Sequence, residues 1–185
     1  MAWLGGCGNA LTNGSDPSGS IIRVVSISPD PPGAFQPDIL LSECSTDDDG
    51  KITYEPGLFV SYANVLMRND SRPNTPAGQS TNSFVTMNRY RVDYTGSLPS
   101  GPVSIRPIDV GGLTVGIAPD GSGTMRVLVM DYARLDYILS HYPTVGDIDS
   151  LTLRATITMW GEDAFRAEVS TTAEVTLVVA NYNRC

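Results

Sequence analysis

Few residues in this chain are suited to catalysis. His141 is the only histidine, so a Ser-His-Asp or Cys-His mechanism would have to use it. The chain contains no Gly-x-Ser-x-Gly motif, and the neighbouring Tyr142 and Pro143 are typical of a surface loop. The carboxylates lie mostly in turn-rich segments and form no recognisable glycosidase pair. We therefore predict no enzymatic activity and assign no catalytic residue.

The sequence offers one weak metal site. A single histidine and the lack of a Cys-x-x-Cys motif leave too few ligands for zinc. The acidic residues Asp47, Asp48 and Asp49 precede Gly50 and have the oxygen ligands and the glycine turn of a calcium loop. Aligned on the EF-hand pattern, the twelfth position is Pro56 instead of a glutamate. A solvated turn is the favoured interpretation, calcium is the alternative, and no other cofactor is predicted.

Aromatic residues raise a second binding hypothesis. Trp160 lies on the polar side of an alternating segment and would suit the face of a sugar ring. The tyrosines that would complete such a platform are Tyr62, Tyr90, Tyr94, Tyr132, Tyr137 and Tyr142. Packing in a core or on a sheet face is the competing interpretation for most of them.

Composition predicts one folded domain. The 185 residues are 41% hydrophobic and 17% charged, which allows a core and excludes a disordered polyelectrolyte. The net charge of -8 would repel phosphate backbones and anionic lipid headgroups, so we predict no nucleic-acid partner. The longest apolar runs fall far short of the ~20 residues of a membrane-spanning helix.

Hydrophobic alternation predicts β-strands in the body of the chain. Residues 151–159 alternate strictly, with apolar residues at odd positions, and residues 167–179 alternate in the same way. A turn at Gly161-Glu162-Asp163-Ala164 would join them into an antiparallel hairpin. Further strands are predicted at 21–28, 58–68, 84–94, 103–105, 113–117 and 124–130. In the third of these, Phe84, Tyr90, Val92 and Tyr94 are predicted to share a face.

One segment has helical spacing. Leu135, Ile138 and Leu139 follow a potential cap at Asp131, and Pro143 ends the pattern. With seven or eight strands separated by Gly- and Pro-rich turns, the fold class is predicted as all-β. We expect an antiparallel immunoglobulin-like sandwich with one short crossover helix near 131–142.

The N-terminal residues predict a cellular address. Leu4-Gly5-Gly6-Cys7 resembles the lipobox of bacterial lipoproteins, in which the cysteine thiol receives a diacylglyceryl group. The Gly- and Ser-rich residues 8–20 have the composition of a tether. With a sandwich after a tether, the layout resembles Gram-negative surface lipoproteins that carry Ig-like domains. We therefore predict a signal and tether at 1–20 and one domain at 21–185.

That resemblance implies a protein anchored by lipid at Cys7 in the bacterial envelope or outside the cell. The match lacks a charged segment and a long apolar segment before it, so either the start is assigned too late or Cys7 is an ordinary thiol. If Cys7 carries lipid, Cys44 and Cys185 remain as a pair that would form a disulfide in an oxidising compartment. Two free thiols are the alternative.

Three functional hypotheses follow from these features. The first is a non-enzymatic envelope protein that acts through protein contacts in adhesion, envelope architecture or assembly. The second is a subunit of an extracellular filament, in which residues 10–28 add a strand to a neighbouring copy. The third is a carbohydrate-binding module that uses Trp160 to bind a glycan.

Overall fold

The structure is a computed structural model, and it describes residues 19–38, 43–54, 60–71, 82–145 and 150–182. These residues form ten strands and one helix. The elements are β1 (Ser20–Asp30), β2 (Glu43–Thr46), β3 (Ile52–Tyr54), β4 (Ser61–Ser71), β5 (Val85–Leu98), β6 (Gly101–Pro102), β7 (Ile108–Ile117), β8 (Ser122–Met130), α1 (Tyr132–His141), β9 (Leu151–Asp163) and β10 (Glu168–Val179). No helix in this part of the chain is long and apolar enough to cross a bilayer.

The long strands form two antiparallel sheets around one core. The first sheet has the order β1-β4-β8, and the second has the order β10-β9-β5 with β7 and the short β6 both paired to β5. In immunoglobulin nomenclature these are strands A, B and E against G, F, C and C′. The inward side chains of both sheets belong to one buried apolar cluster. The prediction of an all-β antiparallel sandwich is confirmed.

The chain passes from one sheet to the other after β1. Residues 35–38 lie along the end of β10 and run parallel to it, with Asp38 paired to Ala180. The Phe35 carbonyl accepts a hydrogen bond of 3.1 Å from the Val178 N–H. This segment satisfies backbone groups at the end of β10, which would otherwise form an open sheet edge.

The predicted hairpin and helix are both present. In β9 every odd residue from Leu151 to Asp163 is buried, and β10 pairs with it in an unbroken antiparallel register. The helix begins after Asp131, whose side chain accepts a hydrogen bond of 2.9 Å from the Arg134 N–H. A carboxylate at this position satisfies a backbone donor that the helix itself leaves unpaired.

Three details of the predicted strands are wrong. Residues 103–105 form no strand, although Val103 and Ile105 are buried. The predicted turn at 161–164 is mostly strand, because Gly161 and Glu162 pair with β5 and the chain turns only after Asp163. The described residues also contain more strands than predicted, because β2, β3 and β6 are too short to show alternation.

The predicted face of β5 is also wrong at its beginning. The register shifts between Met87 and Arg89, which marks a β-bulge. A bulge inserts one residue and reverses which side chains point inward. Tyr90, Val92 and Tyr94 are therefore buried as predicted, whereas Phe84 points to the other side and is 49% exposed.

Two tyrosines of β5 cover the open edge of β8. Among the described strands, β8 has a partner only on its β4 side. The Leu128 N–H donates to the Tyr90 hydroxyl at 3.0 Å, and the Tyr94 hydroxyl donates to the Val129 carbonyl at 2.9 Å. These bonds satisfy backbone groups that an additional strand would otherwise bind.

The buried tyrosines predict a loss of stability at alkaline pH. Burial raises the pKa of both Tyr90 and Tyr94 above the ordinary value of 10.0. As the pH rises, the hydroxyl groups of Tyr90 and Tyr94 therefore lose their protons in the unfolded chain before they do so in the folded one. The contribution of the two tyrosines to stability is complete below pH 10 and declines as the pH rises above it. We expect Tyr94→Phe to lower the unfolding free energy by about 1–2 kcal/mol at pH 7, because the Val129 carbonyl loses its donor. The same variant should lose less stability than the wild type between pH 10 and pH 11. Urea unfolding at several pH values gives the unfolding free energy of both proteins. If this free energy falls equally steeply with pH in Tyr94→Phe and in the wild type, the proposed role of Tyr94 is contradicted.

Candidate functional site

Three chain segments meet at one end of the sandwich. They are the turn after β9, the turn between β7 and β8, and the residues before β5. Val85 pairs with both Asp163 and Ile117, which places these segments side by side. The Ala164 N–H also donates to the Ser83 hydroxyl at 3.3 Å. We call residues 82–84, 118–121 and 164–167 the Phe165 end.

The turn after β9 is held by one buried carboxylate. Asp163 is 6% exposed, and its Oδ1 accepts hydrogen bonds from the Phe165 N–H at 2.8 Å and the Ala167 N–H at 2.9 Å. Its backbone N–H donates to the Ala167 carbonyl, and its carbonyl accepts from the Arg166 N–H. Arg166 has a φ of 65°, a conformation that closes the turn. Four hydrogen bonds therefore fix the backbone on either side of Phe165.

This rigid turn presents a large apolar side chain to solvent. Phe165 is 83% exposed, the highest value among the large exposed hydrophobic residues of the described chain. Phe84 is the second exposed phenylalanine at this end, and its ring lies against Gly116 of β7. A Cβ at Gly116 would come within 2.5 Å of that ring, so the glycine is needed for the contact.

A polar network beneath the surface connects the three segments. Asn69 is fully buried, and its Nδ2 donates to the Ser83 carbonyl at 2.7 Å and to the Ile117 carbonyl at 3.3 Å. The backbone N–H of Asn69 donates to the Gly121 carbonyl at 3.0 Å. Ser83 also donates its N–H to the Ser20 hydroxyl. Buried hydrogen bonds of this kind hold a loop in one conformation.

The chemistry of the Phe165 end favours binding. Its exposed apolar rings are those of Phe165 and Phe84, which lie among exposed residues that include the charged Asp120 and Arg166, and its buried carboxylate is occupied by backbone donors. Aromatic side chains, phenylalanine among them, are enriched at protein–protein interfaces relative to the rest of the surface. Pre-organisation of the turn lowers the entropic cost of binding, because the backbone does not have to be ordered by the partner.

The structure places Trp160 on the outer face of the second sheet. The Arg89 guanidinium lies 4.8 Å from the centre of its ring and also forms an ion pair of 3.7 Å with Glu168. Trp160 is half-buried, and its neighbours on the same face of β9 and β10 are the hydroxyl residues Thr158, Ser170 and Thr172 and the glutamates Glu162 and Glu168. The prediction that this tryptophan points away from the core is confirmed.

The tyrosines do not gather around Trp160. Tyr90 and Tyr94 lie in the core, and Tyr62 lies on the other sheet with the Arg126 guanidinium 3.8 Å from its ring centre. The remaining three belong to the helix region: Tyr132, Tyr137 and Tyr142. A shared aromatic platform of these residues is therefore wrong, because they occupy separate parts of the sandwich.

The acidic run forms the turn of the short hairpin between β2 and β3. The Oδ1 of Asp47 accepts hydrogen bonds from the Asp49 N–H at 3.1 Å and the Lys51 N–H at 2.7 Å. Gly50 has a φ of 77°, which glycine adopts without strain. These bonds are those of an Asx turn. No cluster of three metal-ligating side chains occurs in the described ranges, which include Asp47, Asp48 and Asp49.

His141 lies at the C-terminal end of the helix. Its ring stacks on Tyr137 with centroids 4.0 Å apart, and its Nδ1 is 3.0 Å from the Tyr137 carbonyl. A histidine in the last turn interacts favourably with the carbonyl groups there. These contacts are those of a helix-terminal surface residue.

The cysteine predictions fall outside what the structure describes. Cys7 and Cys185 lie beyond the described ranges, and the backbone of Cys44 belongs to β2 while its side chain is not described. The lipidation of Cys7 and the Cys44–Cys185 disulfide therefore stay predictions. Ser20, which the prediction assigned to the tether, is the first residue of β1.

A comparison with models of protein families and with curated proteins finds no match to this chain. The functional inference therefore rests on the geometry described above. Sequence reasoning missed Phe165, Phe84 and Asp163 as candidate site residues. One signal was visible, because Phe165 directly follows the predicted turn and precedes Arg166, so it belongs to no predicted strand face that would carry it to the core.

Proposed function

We propose that the chain is a non-enzymatic, Ig-like module of the bacterial envelope or cell surface that binds protein partners through its Phe165 end. The observation that carries this proposal is the 83% exposure of Phe165 on a turn fixed by the buried Asp163. In a loop that is free to rearrange, turning such a ring inward would stabilise the fold, because burying a phenylalanine contributes about 1.5–3 kcal/mol. This turn keeps the ring outside, where a partner can bury it.

The proposed location at the membrane surface is based on the N-terminal residues. Leu4-Gly5-Gly6-Cys7 supports a lipid anchor at Cys7, and residues 8–20 would tether the domain to the membrane surface. Intact mass measurement of the protein from its native envelope tests the anchor, because a chain that begins at Cys7 with a diacyl or triacyl adduct is expected. An unmodified Cys7 would contradict it.

The binding proposal predicts that one side chain controls retention of a partner. Wild type, Phe165→Ala and Val25→Ala are immobilised and exposed to the detergent-solubilised native envelope. Val25 is the matched control because it is apolar and 53% exposed but lies on β1, away from the Phe165 end. We expect the wild type and Val25→Ala to retain the same proteins and Phe165→Ala to lose at least ~90% of them, since hot-spot truncation costs ~2 kcal/mol or more. Equal retention by all three proteins would contradict the proposal.

A carbohydrate-binding function is the second candidate. The supporting observation is the position of Trp160 on a sheet face rich in hydroxyl groups, among them Thr158, Thr172 and Ser170. Sugars bind such surfaces through ring stacking and hydrogen bonds. In competition with this, Arg89 already covers part of the indole.

The two candidates differ in the effect of Trp160→Ala. If the sheet face binds a glycan, this variant should elute earlier from immobilised cell-surface polysaccharide while its melting temperature changes by less than ~3 °C. A small change in stability is expected because the indole points away from the core. The matched control is Phe165→Ala, which should elute with the wild type. Unchanged elution of Trp160→Ala, or a large drop in its melting temperature, would exclude the glycan role.

A further inference from the structure

The first strand enters the sandwich at the Phe165 end. Ser20, the first residue of β1, is 3% exposed, and its hydroxyl accepts a hydrogen bond of 3.0 Å from the Ser83 N–H. The Ser83 hydroxyl accepts a hydrogen bond from the Ala164 N–H, in the turn that carries Phe165. The chain that precedes β1 therefore leaves the domain beside Phe165.

This exit point is fixed by the pairing of β1. The strand pairs with β4 from Ser20 to Asp30, and Arg23 forms an ion pair with Asp70 close to the exit. Donation of residues 20–28 to a neighbouring copy would require β1 to leave this sheet. An anchor that precedes β1 is therefore attached to the Phe165 end of the sandwich.

The two ends of the sandwich differ in their distance from an anchor at Cys7. Residues 8–19 separate Cys7 from Ser20, and a fully extended chain of this length reaches at most about 45 Å. From Ser20, β1 runs away from the Phe165 end over roughly 30 Å to Asp30. The exit beside Phe165 would stay within reach of the bilayer in every orientation of the domain, with the opposite end farther away.

The charged side chains next to Phe165 are mostly acidic. Glu162 and Glu168 are exposed on the two strands that flank its turn, and Asp120 is exposed in the adjacent turn. They outnumber Arg166 of the turn itself, although Glu168 also pairs with an arginine of β5 at 3.7 Å. The whole chain carries a charge of -8. Anionic lipid headgroups repel such a surface, whereas a protein pocket with a basic rim is complementary to it.

We propose that the Phe165 end binds in cis, to a protein embedded in the same membrane that anchors Cys7, through an apolar pocket with a basic rim on that protein. This inference rests on the proposed binding role of Phe165 and on the proposed anchor at Cys7. The anchor confines the ring to a thin layer above the membrane, so a partner in that membrane is met at a high effective concentration.

Isotope labelling of mixed membranes tests binding in cis. One culture makes the full chain with the photo-reactive residue p-benzoylphenylalanine at position 165 and grows on ordinary nitrogen. A second culture lacks the chain and grows on the heavy nitrogen isotope. Opened membrane fragments of both are mixed in equal amounts and irradiated, and mass spectrometry measures the isotope composition of the protein joined to the chain.

The expected result is an adduct from the anchored chain's own membrane. Partner peptides with ordinary nitrogen should exceed those with heavy nitrogen at least ~10-fold, because the anchor keeps the ring on its own fragment. The control is the Cys7→Ser chain with the same photo-reactive residue, which is purified and added to the mixture. It should yield both isotopic forms equally. Equal amounts from the anchored chain, or an adduct with phospholipid in place of protein, would overturn binding in cis.

Charge reversal tests the basic rim of the partner. Glu162→Lys and Glu174→Lys change the net charge equally, but Glu174 lies about 20 Å along β10 from Glu168. A lysine at position 162 faces Glu168 across the hairpin, so the fold should tolerate it. At low salt, we expect Glu162→Lys to retain the cross-linked envelope protein at least ~5-fold less than the wild type, and Glu174→Lys to retain it equally. Equal retention by both variants would contradict a basic rim.

The photo-adducts also separate this inference from the proposed function. If the anchored chain joins labelled and unlabelled protein equally, binding in cis is excluded and the binding role of Phe165 stands. If no protein adduct forms at position 165 in any sample, both are excluded.

Discussion

Gly161→Ala is expected to lower the unfolding free energy by about 3 kcal/mol or more. Gly161 lies in β9 opposite Met87, next to the bulge of β5. A Cβ there would lie 2.7 Å from the Met87 Cα and even closer to the Thr86 carbonyl oxygen. Both are backbone atoms of a central strand, so the clash cannot be relieved by a rotamer change. The strands would have to separate where they position Asp163.

A second glycine provides the control for this prediction. Gly111 lies in β7, and a Cβ there meets nothing within 4 Å. Gly111→Ala should therefore change stability by less than ~1 kcal/mol, and the change should favour the folded state. Thermal unfolding separates the two variants, because 3 kcal/mol corresponds to a fall of roughly 6–12 °C in a domain of this size. Similar melting temperatures would show that β9 and β5 do not pack as described.

Asp163→Ala is expected to weaken both stability and binding. The substitution removes the acceptor for the Phe165 and Ala167 N–H groups and leaves two partly buried donors unpaired. That loss costs about 2–3 kcal/mol of unfolding free energy. The released turn no longer holds Phe165 in one position, so binding must also supply the entropy of ordering it.

Asp163→Asn separates geometry from charge. The asparagine keeps an Oδ1 acceptor at the same position, so it should retain most of the stability and most of the partner binding. Chemical unfolding and retention of envelope proteins are measured on both variants. If Asp163→Ala binds as well as the wild type, the rigid turn does not contribute to the Phe165 end.

Long regular strands were predictable from the sequence. In β9 and β10 one face is buried along the full length, so alternation survives and both the strands and their pairing follow from it. The helix was also predictable, because Asp131, Leu135 and Ile138 combine a cap with helical spacing.

Local irregularities were not predictable in the same way. The bulge at Met87 to Arg89 shifts the phase of the alternation, because Val85 and Met87 are apolar at odd positions whereas Tyr90, Val92 and Tyr94 are apolar at even ones. The prediction extended the even-numbered face back to Phe84 and therefore assigned it to the wrong side. Residues 35–38 pair with β10 through backbone atoms, and their side chains carry no signal of it.

The candidate site was missed for a related reason. In the sequence, Asp163 is indistinguishable from an ordinary carboxylate in a turn. Only the structure shows that it is buried and that it accepts two hydrogen bonds. Core packing was the favoured interpretation for tyrosines such as Tyr90 and Tyr94, and both are buried. Their hydrogen bonds to β8 could not be predicted, because the sequence does not show which strand edge is open.

Site-specific photo-crosslinking in the native envelope tests the central role of Phe165 most directly. Phe165 is replaced by p-benzoylphenylalanine, and the same photo-reactive residue at Val25 serves as the control. Irradiation followed by mass spectrometry is expected to yield one defined protein adduct at position 165 and none at position 25. An adduct with an envelope protein would support the binding function. Equal yields at both positions, or no adduct at position 165, would contradict the proposal that this end of the sandwich binds protein.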